Sequence, residues 1–362
     1  MATTRLPDSV TAALDLSAVP VPECSLRLSN DMAFGAVSHG GFVASLMTKY
    51  AIKYASEHPK LRLQTDVRSS MAQFYRPVLP SKPATLKLRE SSLGKAWSTL
   101  RVDLFQADKI AASVDVTICS FSLPSISLPT KWELSPPPRR VDLSKLETES
   151  DPDWVSYQPA FYPDGFRRGH AYVRTFIPKD HSTDTASVEQ WICPGWDCFP
   201  LGSCAALTEL DQARWTTEML QYAADLTLPV QENLFPRKPG SPLPMGSVAA
   251  VLEFAAEQKR ARKDGRSDWR PLANDGSKTI MIQTVHVTLN MTTEIKKKLP
   301  PEGVRWLYAR TEAKSIVNGR LDAQVLLFDE RMELVAISNQ VNQIIPATQK
   351  STKAENRETA QL

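Results

Sequence analysis

Two parts of the chain show the same order of hydrophobic patterns, a helical spacing and then strands in which apolar and polar residues alternate. In the first part, SHGGFVASLMTKY (38–50) leads two glycines into an apolar helical pattern, and 65–121 alternates with turns near Gly94 and Asp108. A period of 3.6 residues indicates an amphipathic helix, and a period of two indicates a strand with one buried face. The first part is therefore predicted to be a helix followed by about four antiparallel strands.

The second part repeats these elements. Strands are predicted in 165–178 and 187–193, an amphipathic helix in 209–226, and further strands from Thr279 to about Pro346. Two segments at corresponding places, LFQADKIAAS and LFDERMELVAIS, each join a strand end, a polar turn and a strand that re-enters through Ala and Ser. This similarity indicates an internal repeat.

Two connections stand outside the repeat. Residues 123–164 show no hydrophobic periodicity and are rich in proline, serine and charged residues, so they are predicted to be a linker. An insertion at 229–278 separates the second helix from its next strand, where the first part has only about eight residues. A connection of this length is usually either a cover over a functional site or a disordered segment. Within the insertion, 248–263 predicts a short helix. Its basic end would suit a phosphate-bearing ligand, although a solvated charge run is the preferred interpretation.

Composition narrows the classes of function. The 362 residues are 42% hydrophobic, which fits about two globular domains. The 43 basic and 40 acidic side chains give a net charge of only +3, so nucleic acid is not an expected partner. No apolar run is long enough for a membrane span or a signal peptide, and a cytoplasmic location is expected. The final Ala360, Gln361 and Leu362 keep a peroxisomal address as a weaker alternative.

Several familiar chemical signatures are missing from the sequence. No G-x-S-x-G elbow and no Walker or Rossmann glycine pattern is present. The cysteines lack companion histidines at zinc-finger spacing, so we expect reduced thiols and neither a metal nor a cofactor. The five cysteines are Cys24, Cys119, Cys193, Cys198 and Cys204.

The chain resembles the acyl-CoA thioesterase II group of double hot-dog proteins, and within it the fungal thioesterase-like branch. Most of the resemblance lies in VTLNMTTEIKKKLPPEGVRWLYARTEAKSIVNGRLDAQVLLFDERMELVAISNQ (287–340), and HGGFVASLM, FYRPV and GKAWSTLRVDLFQADKIAAS carry the rest. It implies an α+β double hot-dog fold, in which two helix-on-sheet units form a pseudo-dimer. We expect an N-terminal arm (1–24), units at 25–122 and 165–346, and a disordered tail (347–362).

The resemblance also implies how a thioester would be hydrolysed. In this family a helix aspartate, a strand threonine and a strand glutamine hold the attacking water. Asp225 and Gln340 match the first and third of these. The family spacing before His286 points to Gln283, whereas Thr284 is one residue away and would face the other side of the strand. Either Gln283 substitutes, which we favour slightly, or a bulge re-aims Thr284.

Asp225 is unusual on physical grounds as well. A carboxylate near a helix C-terminus lies against the helix dipole, so capping of its own helix does not explain it, and a solvated terminal residue is the alternative. The first helix has Thr48 where single-unit enzymes carry an acid, so the first half is expected to supply only donors. Backbone N–H groups at Gly41 and Phe42, after Gly40, would polarise the thioester carbonyl, contributing about 3 kcal/mol. Close packing of the helix start is the other explanation for the glycines.

Two histidines adjoin these motifs. His39 is expected to fix the loop before the first helix, and proton transfer by His39 is the less favoured reading. The ordinary pKa of a histidine would suit His286 as a general base. The resembling enzymes do not use this position as the base, so a packed or substrate-contacting role is preferred.

The sequence therefore predicts a hydrolase for acyl-CoA or a carrier-bound acyl thioester, with no covalent intermediate. Two alternatives stay open. One is a pathway-specific hot-dog enzyme of secondary metabolism that performs cyclisation, elimination or decarboxylation, which the unmatched threonine and the insertion would favour. The other is a non-catalytic acyl-binding protein. A homo-oligomer is compatible with the resemblance.

Overall fold

The first half of the chain folds as one long helix against antiparallel strands, as predicted. The computed structural model describes residues 9–196, 212–236, 243–278 and 284–346. The first-half elements are α1 (Val10–Ala13), β1 (Glu23–Leu26), β2 (Ala33–Phe34), β3 (Val37–Ser38), α2 (Gly40–Glu57), β4 (Asp66–Phe74), β5 (Ala84–Ser92), β6 (Trp97–Gln106) and β7 (Lys109–Cys119).

The second half has the same arrangement, with a shorter central helix and with additions. Its elements are α3 (Leu143–Glu147), β8 (Trp154–Tyr157), β9 (Val173–Pro178), β10 (Ser187–Pro194), α4 (Leu220–Asp225), α5 (Val248–Lys263), β11 (Thr284–Ile295), β12 (Leu307–Glu312), β13 (Ile316–Val317), β14 (Arg320–Phe328) and β15 (Leu334–Pro346).

One 13-stranded sheet runs through both halves in the order β1-β5-β6-β7-β4-β11-β15-β14-β12-β10-β9-β8, with β13 paired to β14. The halves join where β4 and β11 pair antiparallel, from Gln73 opposite Asn290 to Ser69 opposite Glu294. The two central helices, α2 and α4, lie on the same side of this sheet and contact each other. This is the predicted pair of helix-on-sheet units.

A buried polar network fixes α2 against α4. The Ser45 hydroxyl accepts the Tyr222 N–H (3.1 Å) and lies 3.4 Å from Gln221 Oε1. Gln221 Nε2 in turn donates to Thr48 Oγ1 (3.3 Å) and Ser70 Oγ (3.1 Å). Because these groups are out of water, each lost partner would leave a buried polar atom unsatisfied. The network therefore sets the relative position of the two helices.

The predicted helix at 209–226 is wrong in its N-terminal part. Helical structure begins only with a 3-10 turn at Thr217–Met219, followed by α4. Upstream, Trp215 exchanges backbone hydrogen bonds with Val304, at 2.7 and 2.9 Å, and its buried indole donates to the Ile192 carbonyl oxygen (3.3 Å). This tertiary pairing holds the backbone of Trp215 in an extended form. Residues 209–211 lie outside the described part of the chain.

The predicted linker is a packed segment and not a free tether. It contains α3 and β8, and β8 pairs with β9 at the edge of the sheet. Its apolar side chains cover the outer face of the second half, where the Trp132 ring lies parallel to that of Phe328 at 6.5 Å. Leu146 is buried there beside Trp154. The segment has little regular secondary structure, which is why its sequence shows no periodicity, yet it is packed against the second half.

The helix predicted at 248–263 is confirmed as α5. Val248, Val251 and Ala255 pack it on the second half. At its basic end, Arg262 forms an ion pair with Glu149, and its guanidinium lies 4.4 Å from the centre of the Trp269 ring. The remaining basic side chains of this end are exposed, which agrees with the solvated charge run.

No helix in the described ranges is long and apolar enough to cross a bilayer. Cys24 and Cys119 are free thiols, Cys193 is buried, and Cys198 and Cys204 lie outside the described residues.

Candidate functional site

Asp225, the last residue of α4, lies at the N-terminus of α2. Its Oδ2 accepts the Gly41 N–H at 2.6 Å and lies 3.5 Å from His39 Nε2. The side chain is 11% exposed. A helix N-terminus carries partial positive charge, so this position favours a carboxylate, whereas the end of its own short helix does not. Asp225 therefore caps a helix of the other half, a role that the sequence could not show.

The two glycines allow this approach. A Cβ on Gly41 would lie 2.5 Å from Asp225 Cβ and 2.5 Å from the Gln221 carbonyl oxygen, closer than atoms can pack. A Cβ on Gly40 would meet only the tip of the Asp225 side chain, Oδ2, at 3.1 Å, and the Phe74 ring at 3.5 Å. Close packing of the helix start, the alternative from the sequence, is thus the role of Gly41.

The backbone donors at this helix start are mostly occupied. The Gly41 N–H is bonded to Asp225, and the Phe42 N–H points to His39 Nδ1 at 3.4 Å. Neither is free for a substrate carbonyl oxygen, contrary to the predicted oxyanion role of these two groups. The Gly40 N–H meets no acceptor in the described ranges, which leaves it as the available donor at this end of α2.

His39 fixes the N-terminus of α2, as predicted. Because Nδ1 accepts the Phe42 N–H as the N-cap of the helix, we assign the proton to Nε2, from where it faces Asp225. Burial lowers the pKa of His39, and the Asp225 carboxylate opposes this effect only in part. The imidazole is therefore neutral at neutral pH. It orients Asp225 and is not placed to exchange protons with solvent.

Gln340 lies beside Asp225 from the sheet side. Its Nε2 donates to the carbonyl oxygen of Ala224 at 3.4 Å, and its strand partner on β11 is Met291. Two residues further along β15, Asn342 faces Thr288 across the strand pair. Residues directly opposite each other point to the same face of a sheet, and so do residues two apart. Thr288 is thus the strand threonine diagonal to Gln340, and the sequence reasoning missed it.

The structure does not bring Thr284 to this centre. Thr284 is opposite Pro346, six residues beyond Gln340 on β15, which places it about 20 Å along the sheet from Gln340. A bulge does interrupt β11, but it lies between Thr288 and Asn290 and not at Thr284. Gln283 falls outside the described residues.

His39 lies against Asp225, His286 is close enough to interact with the charge of Asp225, and His170 lies near both of these histidines. Phe34 separates His39 from His170, with ring centres at 5.4 and 4.5 Å. Burial lowers the pKa of His170 well below its ordinary value, and nearby Arg167 adds to the effect. The protein around His286 disfavours its charged form and lowers its pKa as well, and the Asp225 carboxylate opposes this effect in part. His286 Nδ1 contacts Gln231 Nε2.

The chemistry of the site follows from this arrangement. A carboxylate is anchored through one oxygen, an amide and a hydroxyl lie on the adjoining sheet, and the neighbouring histidines are neutral. No group of three or more potential metal ligands occurs in the described ranges. The set can hold a water molecule and take a proton from it.

Comparisons with known proteins identify the chain at the level of family. The model of the acyl-CoA thioesterase N-terminal domain matches residues 28–121, and that of the C-terminal domain matches residues 143–344. The chain belongs to the acyl-CoA thioesterase family. As a member of this family it is a thioester hydrolase. The C-terminal domain match begins within the predicted linker, at α3.

Similar proteins cover nearly the whole chain. The thioesterase-like protein TwmA from Talaromyces wortmannii is 25% identical over 93% of this chain and 92% of its own length. A solved structure of a putative thioesterase II from Thermobifida fusca is 15% identical, with a TM-score of 0.60 over 92% of this chain and 98% of that one. Acyl-CoA thioesterase II TesB2 from Mycobacterium marinum is 16% identical, with a TM-score of 0.52 over 94% and 99%.

The fold of the chain is also similar to that of a hot-dog protein from Alicyclobacillus acidocaldarius. That structure is 13% identical, with a TM-score of 0.53 over 93% of this chain and 97% of the other. The predicted α+β double hot-dog fold is confirmed.

Proposed function

We propose that the protein hydrolyses an acyl-CoA, or an acyl group on a similar carrier, with a water molecule activated by Asp225. The observation that carries this proposal is the anchoring of Asp225 across the two halves. Oδ2 is held by the Gly41 N–H and faces His39 Nε2, and no described residue donates to Oδ1. A carboxylate has two accepting oxygens, so Oδ1 is free to accept a proton from water.

Gln340 and Thr288 complete the water site in this proposal. Gln340 donates through Nε2 to the Ala224 carbonyl oxygen, which leaves Oε1 as an acceptor next to Asp225. The Thr288 hydroxyl, on the same face of the sheet, can donate to or accept from the same water. Three groups that fix the water would align its lone pair with the thioester carbon, and such alignment is a large part of catalysis.

The donor for the developing oxyanion would be the Gly40 N–H. It lies at the positive end of α2, next to Asp225, and no acceptor in the described ranges occupies it. Donors placed where negative charge develops stabilise the transition state by about 3 kcal/mol each. The two halves would thus share one centre, with Gly40 from the first half and the water site from the second.

The reaction would then proceed without a covalent enzyme intermediate. Water adds to the carbonyl carbon as its proton passes to Asp225 Oδ1. The tetrahedral intermediate collapses with cleavage of the carbon–sulfur bond, and the products are the carboxylic acid and the free thiol. Asp225 returns its proton to the departing sulfur or to solvent, which restores the site.

The test is to supply short, medium and long acyl-CoAs to the purified protein and to quantify both products. Hydrolysis predicts equal amounts of thiol and carboxylic acid from at least one chain length. If the protein binds acyl-CoA but releases no thiol, the proposal is wrong and the acyl-binding alternative gains support. If thiol appears with a product other than the free acid, the pathway-specific alternative does.

A further inference from the structure

A 3-10 turn at Arg168–Tyr172 lies beside the elements that hold Asp225. The carbonyl oxygen of Gly169 accepts the hydroxyl of Tyr222, which belongs to the same helix as Asp225, at 2.9 Å. His170 follows Gly169 in the turn and lies near the other two histidines of the site. The turn is thus fixed at the side of the water site.

Solvent has access to the sheet at this place. His286 lies opposite Ile344 on β15, an even number of residues from Gln340, so both side chains face α4. His286 is nevertheless exposed, and it lies close to Asp225 and to His170. Open space therefore adjoins the water site on the side of the 3-10 turn.

Arg167, the N-cap residue of this turn, is a buried cation without an ion-pair partner in the described ranges. The residue is only 7% exposed, and its Nη1 donates to the carbonyl oxygen of Asp275 at 2.9 Å. The Asp275 carboxylate itself is held by the Tyr157 hydroxyl (2.9 Å) and by Ser277. A buried charge is costly unless an opposite charge and hydrogen bonds compensate it. The structure of the turn alone does not explain Arg167.

Several nitrogen atoms of Arg167 and His170 have no hydrogen-bond partner in the described ranges. They are Nε and Nη2 of Arg167 and both ring nitrogens of His170, and of these only Nδ1 of His170 is fully enclosed by protein. Residues three apart lie on the same side of a 3-10 turn. Besides burial, the nearby charge of Arg167 lowers the pKa of His170, so the two side chains are close together. The pair offers donors to an acceptor that the described residues do not supply.

Arg167 is the cation in a group of neutral or acidic side chains. Burial lowers the pKa values of the three histidines near Asp225, which are therefore neutral at neutral pH. On the insertion, Glu232 Oε1 accepts the hydroxyl of Thr284, on β11, at 3.2 Å, and burial raises the pKa of Glu232 to about 7. An anionic group of a ligand would therefore be attracted to Arg167 and repelled by Asp225.

We propose that Arg167 and His170 bind a carboxylate carried by the acyl group, so that the preferred substrates are thioesters whose acyl group has a second acid function. The inference rests on the proposed function and names the substrate class of the same site. Nε and Nη2 of a guanidinium match the two oxygens of a carboxylate, and His170 would donate from Nε2. The acyl group would extend from the water beside Asp225 to the 3-10 turn.

The test compares adipoyl, suberoyl and sebacoyl thioesters with their monomethyl esters, in which the distal carboxylate is masked. Each is prepared on CoA and on N-acetylcysteamine, which carries no phosphate. Arg167→Met removes the charge and keeps an unbranched side chain, whereas Arg167→Lys keeps the charge. Arg266→Met, at an exposed ion pair with Asp268, is the matched control.

We expect wild type to prefer the free acid over its methyl ester at least about tenfold in kcat/KM for one or more chain lengths, on both carriers, the equivalent of one charge-assisted hydrogen bond. Arg167→Met should abolish this preference, Arg167→Lys should keep part of it, and Arg266→Met should match wild type. If Arg167→Met does not fold, His170→Phe should lower the preference at least threefold, and an unchanged preference there would contradict the proposal.

Three other results would overturn the subsite. Wild type may show no preference for the free acid, or the preference may persist in Arg167→Met. An equal loss on all thioesters in Arg167→Met would make Arg167 a purely structural residue. A loss on every CoA thioester and on no N-acetylcysteamine thioester would show that Arg167 binds a phosphate of the carrier.

A binding measurement separates this inference from the proposed function. If wild type hydrolyses none of these thioesters, the proposed function fails, and calorimetric binding of the N-acetylcysteamine thioesters then decides the subsite alone. Binding of a free acid at least about tenfold tighter than that of its methyl ester, with no such difference in Arg167→Met, would support the subsite. Equal binding of acid and ester, or no binding by wild type, would contradict it.

Discussion

Replacing Gly41 with alanine should force α2 and α4 apart. The new Cβ would lie 2.5 Å from Asp225 Cβ and 2.5 Å from the Gln221 carbonyl oxygen. Both atoms are attached directly to the backbone of α4, so neither can rotate away. Separation of the helices would lengthen the 2.6 Å hydrogen bond from the Gly41 N–H to Asp225. Gly41→Ala therefore combines overpacking with the loss of a charge-assisted hydrogen bond.

The magnitude can be worked out from these contacts. Overpacking costs about 1–3 kcal/mol, and a hydrogen bond to a charged group contributes about 1.5–3 kcal/mol. The higher helix propensity of alanine returns about 1 kcal/mol. We expect a net loss of about 1.5–5 kcal/mol in the free energy of unfolding, a large part of the 5–15 kcal/mol of a typical domain.

Gly40→Ala is the matched control one residue away. Its Cβ would lie 3.1 Å from Asp225 Oδ2 and 3.5 Å from the Phe74 ring, contacts that a small shift of these side chains relieves, so the free energy of unfolding should change by less than about 1 kcal/mol. Activity should still fall, because the methyl group crowds the water site. Urea unfolding followed by circular dichroism measures both variants. Equal stability of Gly41→Ala and wild type, or equal losses in both variants, would refute this account of the helix contact.

Three further predictions follow from the site. Thr288→Val should lower kcat at least tenfold, whereas Thr284→Val should change kcat less than threefold, and steady-state thiol release that shows the reverse order would reject the choice of threonine. The folded-state pKa of His170 is lowered, so its contribution to stability is complete above pH 6.5 and falls below that pH by up to about 1.4 kcal/mol per pH unit. Urea unfolding at pH 7 and 5.5 should therefore show a smaller loss of stability in His170→Gln than in wild type, and an equal loss would contradict this. The folded-state pKa of Glu232 is raised to about 7, so the stability that its neutral form contributes below pH 4.5 is lost as the pH rises to 7. At pH 8 the free energy of unfolding of Glu232→Gln should therefore exceed that of wild type by at most about 3 kcal/mol, and a variant less stable than wild type would be contrary evidence.

The sheet and the long helix could be predicted because their patterns are local. Alternation in 65–121 and from Met291 onward fixes which side chains face the core, and the spacing in 38–50 fixes a helix. The helix predicted at 209–226 was wrong over Trp215, because the backbone of Trp215 pairs with Val304, a partner 89 residues away in sequence. No local pattern contains that information.

The site was less predictable than the fold because it depends on register between distant strands. Asp225 and Gln340 were found through the resemblance, and the structure places them on neighbouring elements. Thr288 was missed because only the pairing of β11 with β15, with its bulge after Thr288, shows which threonine lies near Gln340. Glu232 lies in a segment without periodicity, and no signal in the sequence singled it out.

The most direct test of the central claim is the rate of thiol release by Asp225→Asn. Asparagine keeps the shape of the side chain and an oxygen that can accept the Gly41 N–H, so the variant should fold like wild type. Glu218→Gln, at an exposed ion pair with Lys49 just before α4, is the control. We predict that kcat falls at least about a hundredfold in Asp225→Asn and stays within threefold in Glu218→Gln. A folded Asp225→Asn protein that releases thiol as fast as wild type would contradict water activation by Asp225.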